Sequence, residues 1–294
     1  MRLKPFITLL FCLQTALLFS QWSDPDQHLL LAKHGIKECR EYRQVIQNGQ
    51  PSGDSTLTKT SRYNPNGYVV RHTLHNTRGD TPLKFEHEYL YDSIEIKLTG
   101  YKSNGTAYLW EEYQYDQWNK RIRTTHTSTA REDGKLEQFG DSTVYDDSHR
   151  ISAVYYFNDL VSGHDFKLLT RFEYPTERTV QTIHFYGIKD KKKPRISEIE
   201  YDSKGRIIRY YDVLKGKKRL LTSCIYNDKD QLVARNTTPI QKRKRYFGVI
   251  SFTTKKKVES RKEYVYDEKG LVERADSYLN GKLTSRFTYV YFTE

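Results

Sequence analysis

The chain has 294 residues and a formal net charge of +12, and 36% of its residues are hydrophobic. Its mean hydropathy of −0.81 argues against a thick, two-layered apolar core. The chain is nevertheless not typical of disorder, because 24 Tyr and 13 Phe supply large surfaces that a fold can bury. Tyrosine combines an apolar ring with a polar tip, so this composition favours a long sheet whose surfaces are half buried.

The first twenty residues have the pattern of a secretory signal peptide. Arg2 and Lys4 precede an apolar run over Phe6–Phe19, and Ser20 supplies a small residue before the expected cut. This run is shorter than the roughly 20 residues that span a bilayer, so an uncleaved anchor is the weaker alternative. No later segment has the pattern of a membrane span. We therefore expect a chain that is secreted, periplasmic or at the cell surface.

Two cysteines, Cys39 and Cys224, remain after the expected cut. An even number of cysteines in an oxidising compartment permits a disulfide. The stronger interpretation is that Cys224 is a small core residue, because it lies two residues before Tyr226, where another repeat has Ile199. The sequence leaves the pairing of the two cysteines open.

Three segments are expected along the chain. They are the signal peptide (1–20), an N-terminal cap with the first strands (21–60) and a repeat region (61–294) with an insertion at about 236–260. Leu29, Leu30 and Leu31 favour a short helix within Asp26–Lys33, which we expect to cover a sheet edge.

A degenerate Tyr-Asp unit recurs about eight times in the repeat region. The clearest copies are Tyr201-Asp202-x-x-Gly205 and Tyr266-Asp267-x-x-Gly270. Looser copies begin at Tyr63, with Gly67 in its turn, and at Tyr91, Tyr115, Tyr145, Tyr174 and Tyr226. Successive tyrosines are 24 to 40 residues apart.

Each unit predicts two strands and two turns. Apolar and polar residues alternate around Tyr201, which is the signature of a strand. The residue after the tyrosine can accept hydrogen bonds from the backbone ahead, and the glycine three residues later permits positive φ. We therefore predict an all-β fold, an antiparallel meander of roughly 15 to 18 hairpin strands in one long, twisted and curled sheet whose ends are exposed edges.

The two clearest copies resemble the YD repeats of the Rhs and teneurin-type proteins. The resemblance covers about residues 60 to 292. It implies β-hairpins that spiral into a shell, and it implies secretion. In that family the shell encloses a toxin in some proteins and serves as an adhesion surface in others. The chain departs from the large shell proteins, because its last repeat ends at Tyr291 and an Asp-Pro-x-Gly-Leu signature is lacking near the end. The resemblance is therefore to a small secreted protein made of repeats alone.

The positive charge is concentrated in the second half of the chain. Residues 21–170 contain 18 Lys/Arg and 21 Asp/Glu, a net charge of −3, whereas residues 171–294 contain 29 and 16, a net charge of +13. The basic residues cluster in spacers between the Tyr-Asp turns, namely Lys191, Lys192, Lys193, Lys217, Lys218, Arg219, Lys242, Arg243, Lys244, Arg245, Lys255, Lys256 and Lys257. This asymmetry predicts a basic strip along one edge of the sheet that binds an anionic partner.

Several kinds of anionic partner could bind such a basic strip. Acidic envelope polysaccharide or lipid headgroups rank above nucleic acid, because the chain is expected to be exported. The alternatives are that the lysines only solvate the edge, or that the protein acts through contacts with another secreted protein, as an adhesive or a toxin-associated, immunity-type accessory protein. The insertion between Tyr226 and Tyr266 is the most distinctive candidate for a binding segment, because insertions in repeat proteins tend to carry binding. Its sequence predicts one long strand or an added hairpin.

Catalytic and metal-binding patterns are lacking in the sequence. His72 and His75 would lie on opposite faces of a strand, and HExxH, CxxC, GxSxG and phosphate-loop motifs do not occur. Adjacent acids such as Glu111 and Glu112 diverge in a strand. We therefore expect a non-catalytic protein without a cofactor.

Overall fold

The structure is a computed structural model that describes residues 27–75, 83–90, 93–101, 105–128, 137–158, 167–185, 194–238, 240–247, 250–257 and 259–293. It consists of α1 (Gln27–Lys33), β1 (Glu38–Gln47), β2 (Gln50–Tyr63), β3 (Val69–Leu74), β4 (Leu83–Leu90), β5 (Ile94–Tyr101), β6 (Ala107–Tyr115), β7 (Arg121–Ser128), β8 (Glu137–Tyr145), β9 (Ile151–Asn158), β10 (Lys167–Thr176), β11 (Thr179–His184), β12 (Arg195–Tyr201), β13 (Ile207–Leu214), β14 (Lys217–Tyr226), β15 (Leu232–Thr237), β16 (Ile240–Phe247), β17 (Ile250–Lys257), β18 (Ser260–Tyr266), β19 (Val272–Leu279) and β20 (Lys282–Phe292). No helix in these ranges is long and apolar enough to cross a membrane.

Eighteen of these strands form a closed antiparallel barrel. Each barrel strand pairs with the next along the chain, and β15 pairs directly with β18. The barrel closes where β1 pairs with β20, in a register that runs from Glu38 opposite Phe292 to Val45 opposite Ser285. The strands β16 and β17 pair with each other in a separate two-stranded sheet.

The expectation of an open sheet with exposed edges was therefore wrong, although the all-β class and the antiparallel pairing are confirmed. A register shift immediately before the repeat tyrosine explains the curvature, as between Glu200 and Tyr201 or between Val265 and Tyr266. The same irregularity precedes the repeat tyrosines Tyr63, Tyr115, Tyr145 and Tyr226. It also precedes Tyr89, whereas Tyr91, the expected start of this repeat, lies outside the described residues. Because a β-bulge increases the local twist, repeating it in successive hairpins turns the sheet until its two ends meet.

The Tyr-Asp turns share one hydrogen-bonding pattern, seen clearly at Asp202. Its Oδ1 accepts hydrogen bonds from the backbone N–H groups of Lys204 and Arg206, both at 2.9 Å. Gly205 adopts a φ of +76° and donates its N–H to the Asp202 carbonyl. Equivalent turns begin at Asn64, Asp116, Asp146, Asn227 and Asp267. The side chain after the tyrosine thus satisfies the backbone where the chain reverses.

The repeat tyrosines connect successive hairpins. The Tyr226 hydroxyl donates a hydrogen bond of 3.0 Å to the carbonyl of Ile207, the first residue of β13. Tyr89, Tyr115, Tyr145, Tyr174, Tyr266 and Tyr291 likewise donate to the carbonyls of Val69, Glu95, Arg121, Ile151, Leu232 and Val272. Each of these hydrogen bonds anchors a strand that arrives at a turn to the strand that left the preceding turn. The hydroxyl of Tyr201 makes no such bond with a described residue.

The helix α1 packs on two of these turns. Leu31 and Ile36 form a buried cluster with Leu271, and Leu30, Tyr63 and Tyr291 pack against it. Gly67 lies directly beneath the helix, since a Cβ atom there would be 1.9 Å from the His28 carbonyl oxygen. The helix expected within Asp26–Lys33 therefore exists over Gln27–Lys33. It packs on two turns, whereas we expected it to cover a sheet edge.

Cys39 and Cys224 are free thiols in the structure, and both are buried. Burial, with a smaller contribution from Glu41, raises the pKa of Cys39 to about 12. Burial also raises the pKa of Cys224 to about 11. Thiols with such pKa values remain protonated and unreactive near neutral pH, so both act here as small core residues.

Candidate anion-binding hairpin

The β16–β17 hairpin is an excursion between two strands that are already neighbours. Thr237 at the end of β15 lies opposite Ser260 at the start of β18, so the barrel is continuous without the segment between them. Among the described strands, β16 and β17 pair only with each other. The expectation of a long strand or an added hairpin in the insertion thus resolves to a hairpin.

The hairpin register brings two basic runs of the sequence together. Lys242 lies opposite Lys255, and Gln241 and Ile240 lie opposite Lys256 and Lys257. The hairpin contains Lys242, Arg243, Lys244, Arg245, Lys255, Lys256 and Lys257. The sequence between Thr238 and Glu259 has no acidic residue, so seven positive charges are concentrated in one ribbon.

Concentrated positive charge has a physical consequence for the hairpin. Like charges directly opposite each other in an antiparallel pair oppose the pairing. An anion that lies along the ribbon removes this repulsion, and the gain falls as salt screens the charges. In the described hairpin this applies to Lys242 and Lys255, the one pair of like-charged residues that the register places opposite each other.

The predicted site residues Lys217, Lys218 and Arg219 lie at the start of β14, where acidic neighbours already neutralise two of them. Lys218 forms an ion pair with the buried Glu198, and this hydrogen bond raises the pKa of Lys218. Arg219 Nη2 lies 2.6 Å from Asp212 Oδ2, and Arg195 Nε lies 3.1 Å from the other oxygen of Asp212. Lys218 and Arg219 thus hold the barrel wall together.

The basic segments meet at one end of the barrel. In an antiparallel meander, alternate connections lie at the same end, and the Tyr-Asp turns occupy the other one. The β13–β14 turn, which leads into Lys217, and the excursion after β15 are therefore on the same rim. Lys191, Lys192 and Lys193 lie outside the described residues. A closed barrel has no sheet edge, so the described basic segments lie along a rim, and their role as one anion-binding strip stays a prediction.

The barrel also brings together histidines and acids that are far apart in the sequence. His72 Nδ1 lies 3.1 Å from His87 Nε2, and His87 Nδ1 lies 2.5 Å from Glu95 Oε1. His75 lies apart from this chain of contacts and meets Thr60 at 3.0 Å. Sequence alone relates these histidines only to residues along their own strands, because the register of β3 with β4 and β5 is what makes His72 and His87 neighbours.

A second polar cluster is buried beside it. His126 Nδ1 lies 2.9 Å from Glu111 Oε1, and the Tyr113 hydroxyl donates to Glu111 Oε2 at 2.7 Å. Burial alone would raise the pKa of Glu111, but its hydrogen bonds, above all with His126, hold it below the ordinary value. Within the described ranges, no group of three His, Cys, Asp or Glu residues is arranged to hold a metal ion. These clusters supply polar contacts between strands.

Neither a protein-family model nor a curated protein matches the chain. Solved structures with similarity include a porin-like protein from Bacteroides uniformis, at 11% identity and a TM-score of 0.42, covering 87% of this chain and 96% of that one. A TcdB2–TccC3–Cdc42 structure matches at 11% identity and a TM-score of 0.29, covering 84% of this chain and 14% of that one.

The Tc holotoxin pore of Photorhabdus luminescens, with a mutation in TccC3, matches at 12% identity and a TM-score of 0.28, covering 86% of this chain and 15% of that one. The two toxin structures contain chains related to Rhs and YD-repeat proteins. The chain thus spans about a seventh of these toxin chains. At such identities and TM-scores, the similarities carry no functional assignment.

Proposed function

We propose that the protein is an exported, non-catalytic YD-repeat-type barrel that binds an acidic envelope polysaccharide through the β16–β17 hairpin. Membership of the YD-repeat type is supported by the repeated Asp or Asn turns and by the tyrosine hydrogen bonds that link successive hairpins. Export is supported by the charged and apolar pattern of residues 1–20.

The observation that carries the binding proposal is the register of the hairpin. Lys242 opposite Lys255 joins two basic runs in a segment without acidic residues. Lys218 and Arg219 differ from the hairpin residues, because Glu198 and Asp212 already pair with them. A polymer with repeated carboxylates offers several charges to the ribbon at once, which favours it over a small single anion.

The test compares two sets of lysines that carry the same charge at opposite ends of the barrel. One variant changes Lys242, Lys244, Lys255 and Lys257 to Gln. The matched control changes Lys120, Lys204, Lys229 and Lys269 to Gln, which are exposed at the Tyr-Asp turns. Binding of the purified full chain to polygalacturonate is measured across a salt titration, with dextran as the neutral polymer.

We expect binding that weakens steeply with salt and that falls at least tenfold in the hairpin variant but less than threefold in the turn control. Equal losses in both variants would mean that only net charge matters and would overturn the assignment to the hairpin. If the chain failed to bind polygalacturonate but bound cells or itself in a way that resists salt, contacts with another protein would be supported instead. Binding to anionic vesicles but not to polygalacturonate would replace the polysaccharide with lipid headgroups.

A further inference from the structure

A second basic surface lies on the wall of the barrel, away from the hairpin. Residues of strands β1 to β4 line a cleft of about 410 Å³. Its lining includes Arg40, Arg62, Arg71 and Lys84, and the hydroxyls of Thr60 and Thr73. This volume lies at the lower end of the roughly 300–1,000 Å³ range of small-ligand clefts, and the cleft is broadly open to solvent.

The charges in the cleft are only partly balanced. Glu38 contacts two arginines, Arg40 Nε at 2.7 Å and Arg62 Nε at 3.0 Å. Glu86 Oε1 contacts Arg71 Nη2 at 2.7 Å and Lys84 Nζ at 2.8 Å. Four cations thus share two carboxylates. Each of these four side chains remains 39 to 57% exposed, so a ligand can reach them.

Aromatic rings hold two of the cations in place. The Arg40 guanidinium lies 4.6 Å from the ring centre of Phe292, and Lys84 Nζ lies 4.9 Å from that of Tyr101. Cation–π contacts restrict long side chains that would otherwise be mobile. Glu38 takes one N–H from each of its arginines, and a guanidinium has five, so the planar ends can bind a second anion.

Neutral hydrogen-bonding groups lie between the cations. Thr60 and Thr73 are directly opposite each other across β2 and β3, and Thr60 Oγ1 lies 3.0 Å from His75 Nε2. Hydroxyls and an imidazole both donate and accept, which suits the hydroxyls of a sugar, whereas phosphate or sulfate ions need donors alone.

From these observations, we propose that the cleft binds an acidic sugar unit, with a carboxylate or sulfate group held by Arg62 and Arg71 and ring hydroxyls held by Thr60 and Thr73. This site stands on its own residues and does not depend on the hairpin. The half of the chain that contains it has a net charge of −3, so the site arises from register alone.

The experiment is calorimetric titration of the full chain with digalacturonate, its methyl ester and inorganic sulfate. The cleft variant is R62Q/R71Q. The matched control is R171Q/R209Q, since Arg171 and Arg209 are also ion-paired, half-exposed arginines on the wall. A third variant, T60V/T73V, removes the hydroxyls and leaves the charges. Circular dichroism verifies that each variant is folded.

We expect R62Q/R71Q to weaken digalacturonate binding at least tenfold, the control to stay within twofold, and the methyl ester to bind weakly. T60V/T73V should weaken digalacturonate but not sulfate. The proposal is overturned if the parent chain binds none of the three ligands, or if cleft and control variants behave alike. It is also overturned if sulfate binds as tightly as digalacturonate and T60V/T73V affects neither. The hairpin variant should bind digalacturonate unchanged, so failure of one site leaves the other testable.

Discussion

The barrel wall and the β16–β17 hairpin use the same antiparallel pairing but differ in what supports it. In the wall, each repeat turn is fixed by an Asp or Asn side chain, and tyrosines such as Tyr226 and Tyr266 connect neighbouring hairpins. The hairpin, within the described strands, pairs only with itself and concentrates seven positive charges. The comparison teaches that the repeat chemistry links the strands of the wall, whereas the hairpin, which the described strands leave unlinked to the wall, is the part to which we assign binding.

The largest expected effect comes from two glycines in equivalent wall turns. Gly67 and Gly205 adopt φ values of +79° and +76°, but a Cβ atom would strike the helix α1 only at Gly67. We expect Gly205→Ala to cost about 1 kcal/mol of unfolding free energy, from backbone strain. Gly67→Ala should cost a further 1–3 kcal/mol or so, from overpacking. Urea unfolding measures both, and equal costs would show that the helix is not seated on this turn.

Acid should destabilise the wall. Burial, together with Arg195, lowers the pKa of His184 to about 4, and burial, together with Lys59 and His87, does the same for His72. The unfolded chain binds protons at these residues near pH 6.5, before the folded barrel does, so stability falls as the pH drops from about 6.5 towards 4. We expect a loss on the order of 1–3 kcal/mol per histidine.

Unfolding measured at several pH values checks this expectation. The variant H72Q/H184Q should show a flatter decline between pH 6.5 and 4 than the parent chain. The hairpin variant should follow the parent, because both histidines belong to the wall. If the double variant declined as steeply as the parent, these two residues would not be the acid-sensitive groups.

A smaller effect is expected from one tyrosine hydroxyl. Tyr266→Phe removes the 2.9 Å hydrogen bond to the Leu232 carbonyl and should cost about 1 kcal/mol. Tyr201→Phe is the control, since its hydroxyl has no hydrogen bond with a described residue, and burial alone raises its pKa. Thermal unfolding of the two variants should therefore differ. If Tyr201→Phe and Tyr266→Phe unfolded at the same temperature, the hydroxyl of Tyr266 would not link the hairpins.

Local features of the fold could be predicted from the sequence, because they depend on neighbouring residues. The turn at Asp202 needs only a side-chain acceptor and a residue that tolerates positive φ three positions later. The alternation of apolar and polar residues around Tyr201 predicts a strand, again because it depends only on neighbouring residues. Closure of the barrel could not be predicted in this way, since no motif in Glu38–Val45 indicates that it pairs with Ser285–Phe292.

The two candidate sites also differ in how far the sequence predicts them. The basic runs at Lys242 and Lys255 are visible in the sequence, and their pairing follows once the insertion forms a hairpin. The cleft is different, because Arg62 and Arg71 belong to different strands and meet only through register. Their half of the chain is acidic overall, so counting charges along the sequence directs attention away from them.

The most direct test of this account removes the hairpin and keeps the barrel. Residues 239–258 are deleted, and Thr238→Asn with Glu259→Gly forms a two-residue turn that joins Thr237 to Ser260, which already lie opposite each other. Binding of the full chain and the shortened chain to polygalacturonate is then measured at low salt. We predict that the shortened chain unfolds within about 1 kcal/mol of the parent and binds the polymer at least tenfold more weakly, the remaining binding being that of the cleft. A shortened chain that binds as tightly as its parent, or that fails to fold, would contradict the division between wall and hairpin.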